Sequence, residues 1–346
     1  MVSFQRLIFS FLALTTALVS SAPQLETRDT VDLTPQFNET TDESGTTWKI
    51  DGDRISNIQS IRNDDSGVLY SGSLIDSEYG PSVTYPVVVK VCTGRAKVAS
   101  CLKEYQAMYA LQVTLEGHMP PLVLQEKEGT TTFRWVADKA AGGDLTAYIE
   151  SGYAVMLWKQ FRQKVVWEVF QLCWMMHEAG WSHGNITTDN IMFGNKSVTQ
   201  PPGPVWFVDF AAATNTTDKA KTMFSGATIS ADYVPPERAK SRKLWGAAAV
   251  INGTQDPKAG DIWTAGVSMF KFLYGMDTPL FTDTNFLKGV ETKRRSMLQN
   301  AIRQSSENVN ADWVNLWMGI FNPDPAQRFD AKQVVGTLQG LNAQML

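Results

Sequence analysis

The spacing of apolar positions along this chain changes near residue 140. Before it, apolar residues alternate with polar ones or gather in short β-branched runs; after it, they recur at three and four. Residues 54–62 and 67–75 read as short strands separated by the polar turn Asn63-Asp64-Asp65-Ser66. The β-branched run from Pro86 to Val91 predicts a third strand, and Leu122–Leu124 and Thr132–Val136 predict two more. Between them, Lys97 to Leu115 has helical spacing, with Leu102, Met108, Leu111 and Leu115 near one side. Ala140-Ala141-Gly142-Gly143 breaks the pattern. Met156 to Gly180 then predicts a long helix, followed by Ile262–Tyr274, Asn310–Phe321 and Lys332–Leu341. Strands first and helices afterwards predict an α+β molecule with two lobes.

The first residues follow a different pattern. A short basic segment ends at Arg6, an apolar run follows from Leu7 to Val19, and the small residues Ser20, Ser21 and Ala22 come next. This is the layout of a secretory signal peptide over residues 1–22, with an uncleaved signal anchor as the alternative. The run is shorter than the roughly 20 residues of an ordinary membrane span, and no later segment is apolar for long enough. Residues 23–47 are polar and aperiodic and read as a flexible tail, so the domain is expected over 48–346, with ordered structure from near Trp48. Hydrophobic residues make up 43% of the 346, enough to build a large core. A net charge of −4 without any basic block gives no sign of a nucleic-acid partner. Three cysteines, Cys92, Cys101 and Cys173, do not make a disulfide scaffold, though one bridge is possible in an oxidising compartment. Sequons at Asn38, Asn185, Asn195, Asn215 and Asn252 are glycosylation acceptors if the chain is secreted.

The chemistry lies in a series of short motifs. His183-Gly184-Asn185-Ile186-Thr187-Thr188-Asp189-Asn190 is followed by Asp209-Phe210-Ala211. Upstream are Val87-Val88-Val89-Lys90, then Glu104, then Asp138-Lys139-Ala140-Ala141-Gly142-Gly143. Downstream are Tyr233-Val234-Pro235-Pro236-Glu237, Asp261-Ile262-Trp263-Thr264-Ala265-Gly266, and Asn322-Pro323-Asp324-Pro325 with Arg328. In this order they resemble the eukaryotic protein kinases, from about residue 53 to 341. The resemblance implies a bilobal protein-kinase-like fold. Its small, β-rich N-lobe of about 53–139 carries one αC helix, and its larger helical C-lobe runs from about 140 to 346. It implies ATP with Mg2+ or Mn2+ as cofactor. Lys90 would hold phosphates and pair with Glu104, and Asn190 and Asp209 would be the metal ligands. Adenine would bond to the backbone at Asp138 and Ala140, with Ala137 at the gatekeeper position. Gly67 would belong to the phosphate-cradling loop. Asp261 would bond to the backbone of the catalytic loop, and Glu237 would pair with Arg328.

The chain departs from the family pattern where the catalysis is done. Asn185 stands in place of the catalytic aspartate; its carbonyl accepts a hydrogen bond but takes no proton at useful pH. Thr187 replaces the lysine two positions on. Asp189 is a poor substitute base, at a position that in the family faces away from the substrate. Arg62 and Asp64 occupy two glycine positions of the phosphate loop, where carboxylates repel a polyphosphate and Arg62 has the charge to touch one. Ala211 replaces the glycine of the metal-binding loop, and Gly184 the arginine that receives an activation-loop phosphate in many members. Lys240 to Gln255 reads as an insertion on the large lobe. A glycan on Asn185 would block the cleft; the other reading is an unoccupied sequon. Cys92 and Cys101 lie on the strand and helix faces that carry Lys90 and Glu104, so they are either a bridge pinning helix to strand or two separate buried thiols. Together these features predict a secreted, extracellular pseudokinase that binds ATP weakly and acts on an unknown extracellular protein partner. The alternative is a weakly active secreted kinase that phosphorylates protein Ser, Thr or Tyr.

Overall fold

Strand formation begins ahead of the position expected from the sequence. In the computed structural model, β1 (Thr40–Asp42) and the first residues of β2 (Gly45–Ile50) lie within the stretch read as a tail; β2 runs through the expected start at Trp48 and pairs antiparallel with β3 (Asp53–Asp64). The structure describes residues 40–42, 45–50, 53–64, 67–75, 84–128, 131–152, 159–194, 203–217, 231–239, 256–275, 279–305 and 310–343. The leader, most of the tail, the sequons at Asn38, Asn195 and Asn252, the Lys240–Gln255 insertion and residues 218–230 lie outside them.

β3 folds back onto β4 (Gly67–Ile75), and their pairing extends to Asp64 opposite Gly67. The expected four-residue turn is thus shorter, because Asn63 and Asp64 belong to the ladder. β5 (Thr84–Thr93), β6 (Leu122–Glu128) and β7 (Thr132–Asp138) complete a seven-stranded sheet of order β1-β2-β3-β4-β5-β7-β6. The two-residue period of β5 decides what each face carries. Val87 and Val89 join Ile55, Leu74 and Val136 in a small apolar cluster. Lys90 and Cys92 point the other way, toward α1 (Arg95–Leu111). This helix ends before the expected Leu115 and buries Val98, Cys101, Glu104, Ala107, Met108 and Leu111.

The remaining chain is mostly helical. α2 (Leu145–Glu150) is capped by Asp144, whose carboxylate accepts from Ala147 N at 2.7 Å. α3 (Lys159–Glu178) presents Val165, Val166, Val169, Phe170, Cys173 and Met176 to the large core. Four short strands follow: β8 (Trp181–Ser182), β9 (Ile191–Phe193), β10 (Val205–Phe207) and β11 (Thr214–Asn215). β9 pairs with β10 and β8 with β11, which brings the two loops of the site side by side. After the short α4 (Pro236–Ala239) comes α5 (Pro257–Tyr274). It starts earlier than the apolar pattern suggested, because Asp256 caps it and Pro257 suits its first turn. α5 is buried almost all round. α6 (Thr284–Lys288), α7 (Glu291–Gln304), α8 (Ala311–Ile320) and α9 (Ala331–Ala343) pack around that centre. Among the described residues no helix is long and apolar enough to cross a membrane.

Candidate active site

The small lobe contributes an ion pair. Lys90 Nζ lies 2.5 Å from Glu104 Oε2, and both residues are 2% exposed. Burial pushes the Glu104 carboxyl up to about 7 and Asp209 adds to the rise, while Lys90 and Arg62 oppose it. Next to this pair the sulfurs of Cys92 and Cys101 are joined, with Cα atoms 6.4 Å apart. Of the two readings of these cysteines the bridge is the one found, and it fastens α1 to β5. Cys173 is a buried free thiol whose pKa burial raises.

The loop from His183 to Asn190 is held from below by α5. Asp261 Oδ2 accepts from His183 N and Oδ1 from Gly184 N, each at 2.7 Å. His177 Nε2 lies 3.1 Å from the same carboxylate. Although burial acts against it, His177 and the loop N–H groups hold the Asp261 carboxyl below its usual range. Ser268 Oγ donates to Ile186 O at 2.8 Å. Within the loop, Asn190 Nδ2 donates to Asn185 O at 2.9 Å and Asn190 N to Thr187 O at 3.0 Å. The Asn185 Oδ1 is buried and has no hydrogen-bond partner. Ile186 and Thr187 of this sequon are buried, whereas Asn185 as a residue is half-buried.

His183 is held neutral. Its Nδ1 accepts from Asn185 N at 3.3 Å, which leaves the proton on Nε2 to donate to Val208 O at 3.1 Å. Burial lowers its pKa from 6.5, with Asp261 opposing. Below that value the unfolded chain takes up the proton before the folded one. The resulting contribution to stability is present above about pH 6.5 and is lost as pH falls through the folded value. Melting temperatures across pH 5–8 are expected to fall on the acid side, with a slope that His183→Gln reduces.

Asp209 adopts a left-handed conformation, φ 62° and ψ 68°, just beyond the β9–β10 pair. Val208 N donates to Asn190 O at 3.1 Å, so the two expected metal-ligand positions are on adjoining segments. The Asp209 carboxylate meets Arg62, with Nη2 to Oδ2 at 3.5 Å. Gly184 has φ +80°, and a Cβ there would lie 2.6 Å from Ala212 O. The glycine therefore does more than omit an arginine: it lets the Phe210–Ala212 turn close onto the loop. Gly184→Ala is expected to destabilise by about 1–3 kcal/mol, read as a lowered melting temperature, and Gly184→Arg to do worse. Gly67 is constrained by packing as well. Its φ is +139°, and a Cβ would lie 2.7 Å from Val91 O and 2.8 Å from Cys92 Sγ.

At the link between the lobes, Asp138 N donates to Pro121 O at 3.1 Å and Lys139 N to Pro86 O at 3.0 Å. Ala141 N and Gly142 N donate to Gly194 O and Phe193 O, at 3.1 and 2.9 Å. Ala140 is buried, and among the described residues its N–H has no partner. Ala137, at the gatekeeper position, is fully buried opposite Val88. Asp189 is not directed at the chemistry: Thr146 Oγ1 donates to its Oδ1 at 2.6 Å. Far from the cleft, Arg328 forks onto Glu237 through two 2.8 Å bonds, as the motifs implied. Two connections escaped the sequence reading. Thr188 Oγ1 lies 2.9 Å from Tyr233 OH, and Arg62 reaches Asp209 across 147 residues. Neither follows from periodicity, which records burial but not distant partners.

A β-sheet lobe carrying a buried Lys–Glu pair, with a helical lobe in which Asp261 of α5 anchors the His183–Asn190 loop, is the protein kinase fold. The chain belongs to the protein kinase domain family, which it matches over residues 123–338. It is 30% identical over 170 residues to calcium-dependent protein kinase 22 of Oryza sativa subsp. japonica, covering 48% of this chain and 25% of that protein. It is 29% identical over 175 residues to calcium-dependent protein kinase 13 of Arabidopsis thaliana, covering 50% and 28%. With Arabidopsis calcium-dependent protein kinase 32 the identity is 26% over 235 residues, 68% of this chain and 37% of the other. The chain thus spans about a quarter to a third of the length of these relatives.

A protein kinase domain takes ATP with a divalent metal, and the residues here fit that group in part. The Ala140 N–H, without a partner among the described residues, would be the donor for adenine, and the buried Lys90 would be the cation for phosphate. Asn190 commits its amide nitrogen to Asn185 O, so its Oδ1 would be the atom offered to a cation, with Asp209 on the adjoining segment. The metal supplies charge neutralisation at the phosphates. At the position the kinase pattern gives to the proton-accepting aspartate, Asn185 offers an amide, which takes up no proton at useful pH.

Proposed function

We infer that this chain is a secreted pseudokinase: a kinase fold that binds ATP weakly and acts through an extracellular protein partner rather than by phosphotransfer. The observation that carries the reading is the amide at Asn185, in a loop otherwise built as an active one, with Thr187 where the neutralising lysine belongs. Positioning is intact while the base and one phosphate-directed charge are gone, a combination that preserves binding before it preserves rate. The Cys92–Cys101 bridge suits an oxidising compartment and supports the secreted reading. The calcium dependence in the relatives' names is not transferred, since only part of each is covered.

A second reading, a weakly active secreted kinase for protein Ser, Thr or Tyr, is favoured by the formed Lys90–Glu104 pair. A pure scaffold has no chemical need of that pair. Calorimetry with Mg-ATP and a γ-phosphate transfer assay separate the two. Binding that Lys90→Ala abolishes, with no transfer above an Asp209→Asn control, is the expected result. Transfer that disappears with Asp209→Asn would establish the second reading instead.

A further inference from the structure

Two ion pairs lie near each other in the cleft, Lys90–Glu104 buried and Arg62–Asp209 toward solvent, and the charges of the second act on Glu104 of the first. Lys90 is committed to Glu104. Asp209, the acidic metal-ligand position, faces the Arg62 guanidinium at 3.5 Å. Arg62 comes from β3, one strand of the hairpin that covers the site, and its cross-strand neighbour is Leu69. Its side chain is 44% exposed and that of Asp209 18%, so the contact lies at the solvent edge of the site. An ion pair this open is modest and is screened by salt, which makes it exchangeable.

We propose that Arg62 is a tethered counter-cation for Asp209, which competes with divalent metal for that carboxylate and neutralises bound nucleotide phosphate in the metal's place. The nucleotide half of this rests on the reading that the cleft binds ATP; the competition at Asp209 does not. The chemistry follows from what a guanidinium offers. It carries a permanent positive charge and several N–H donors in a planar fork, so it can serve a carboxylate and a phosphate oxygen together. A divalent ion arriving at Asp209 must displace it or share the carboxylate with a like charge.

The test uses the full chain with its disulfide intact, and Arg62→Ala, Arg62→Lys and Asp209→Asn variants whose melting curves are checked first. Mn2+ alone is the first probe, followed by electron paramagnetic resonance on nucleotide-free protein. Arg62→Ala is expected to bind Mn2+ about tenfold more tightly than wild type, Arg62→Lys to stay near wild type, and Asp209→Asn to bind least. ATP is the second probe, in EDTA and in Mg2+, by calorimetry. Wild-type affinity is expected to agree within about threefold in the two buffers, and Arg62→Ala to lose about tenfold in EDTA alone. Wild type that binds ATP only with Mg2+, or Arg62→Ala that equals wild type with Mn2+, overturns the proposal. If ATP binds in neither buffer while Arg62→Ala still tightens Mn2+, the competition at Asp209 stands and the nucleotide reading of the cleft falls.

Discussion

Arg328→Ala is expected to destabilise the domain by about 3–5 kcal/mol, the cost typical of removing one partner from a buried ion pair. The Arg328 side chain is fully buried and that of Glu237 nearly so. Arg328 also donates to Ala259 O at 2.7 Å and to Asn322 O at 3.0 Å, and its guanidinium lies 5.1 Å from the Trp263 ring. One side chain therefore ties α4, α5 and the loop before α9 together. Its loss removes two bonds from the Glu237 carboxylate and one from each of two carbonyls. For a domain of this size the melting temperature should fall by roughly 10 °C. Arg328→Lys should recover little, because an ammonium cannot reproduce the two parallel bonds. In Glu237→Ala/Arg328→Ala the loss should be clearly smaller than the sum of the single losses, since the two act as one unit. A melting temperature for Arg328→Ala close to wild type would show that this pair does not hold the C-lobe.

Asn185→Asp is expected to raise γ-phosphate transfer from background by about 10²–10⁴-fold, the usual contribution of a positioned general base. The frame around that side chain is made by backbone: Asn185 N donates to His183 Nδ1 and Asn185 O accepts from Asn190. The substitution leaves those bonds in place. It adds a carboxylate where Asn185 Oδ1 is now buried and unbonded. Desolvation there raises the pKa of a carboxylate, which brings it toward the range useful to a base. Asp209→Asn added to this variant should return transfer to background. If wild type already turns over and Asn185→Asp gives no gain, the base is not the missing element and the pseudokinase reading is wrong.

Much of this was legible in the chain itself. The run from Pro86 to Val91 marked β5, the kinase resemblance implied that Lys90 pairs with Glu104, and the structure has that pair. Helical spacing gave α1, α3, α5, α8 and α9 but missed α7, whose sequence is mostly polar; helix ends moved because caps such as Asp256 decide them, and caps lie outside the apolar pattern. The motif residues Asp261, Glu237 and Arg328 met their expected partners. Gly67 was read for the approach of phosphate, whereas the structure shows a packing requirement against Val91 and Cys92. Gly184 was read as a lost arginine, but the demand on it comes from Ala212. A side chain's absence is visible in sequence; the neighbour that requires it is not.

The sequence by itself determined the class of fold and the amide at Asn185, because periodicity encodes buried faces and residue identity encodes proton chemistry. Tertiary structure alone decided the Cys92–Cys101 bridge, the closure of the Phe210–Ala212 turn over Gly184, and the meeting of Arg62 with Asp209. Each of these depends on how far one segment stands from another, a distance fixed by the packing of the whole core and written in no local stretch of the chain.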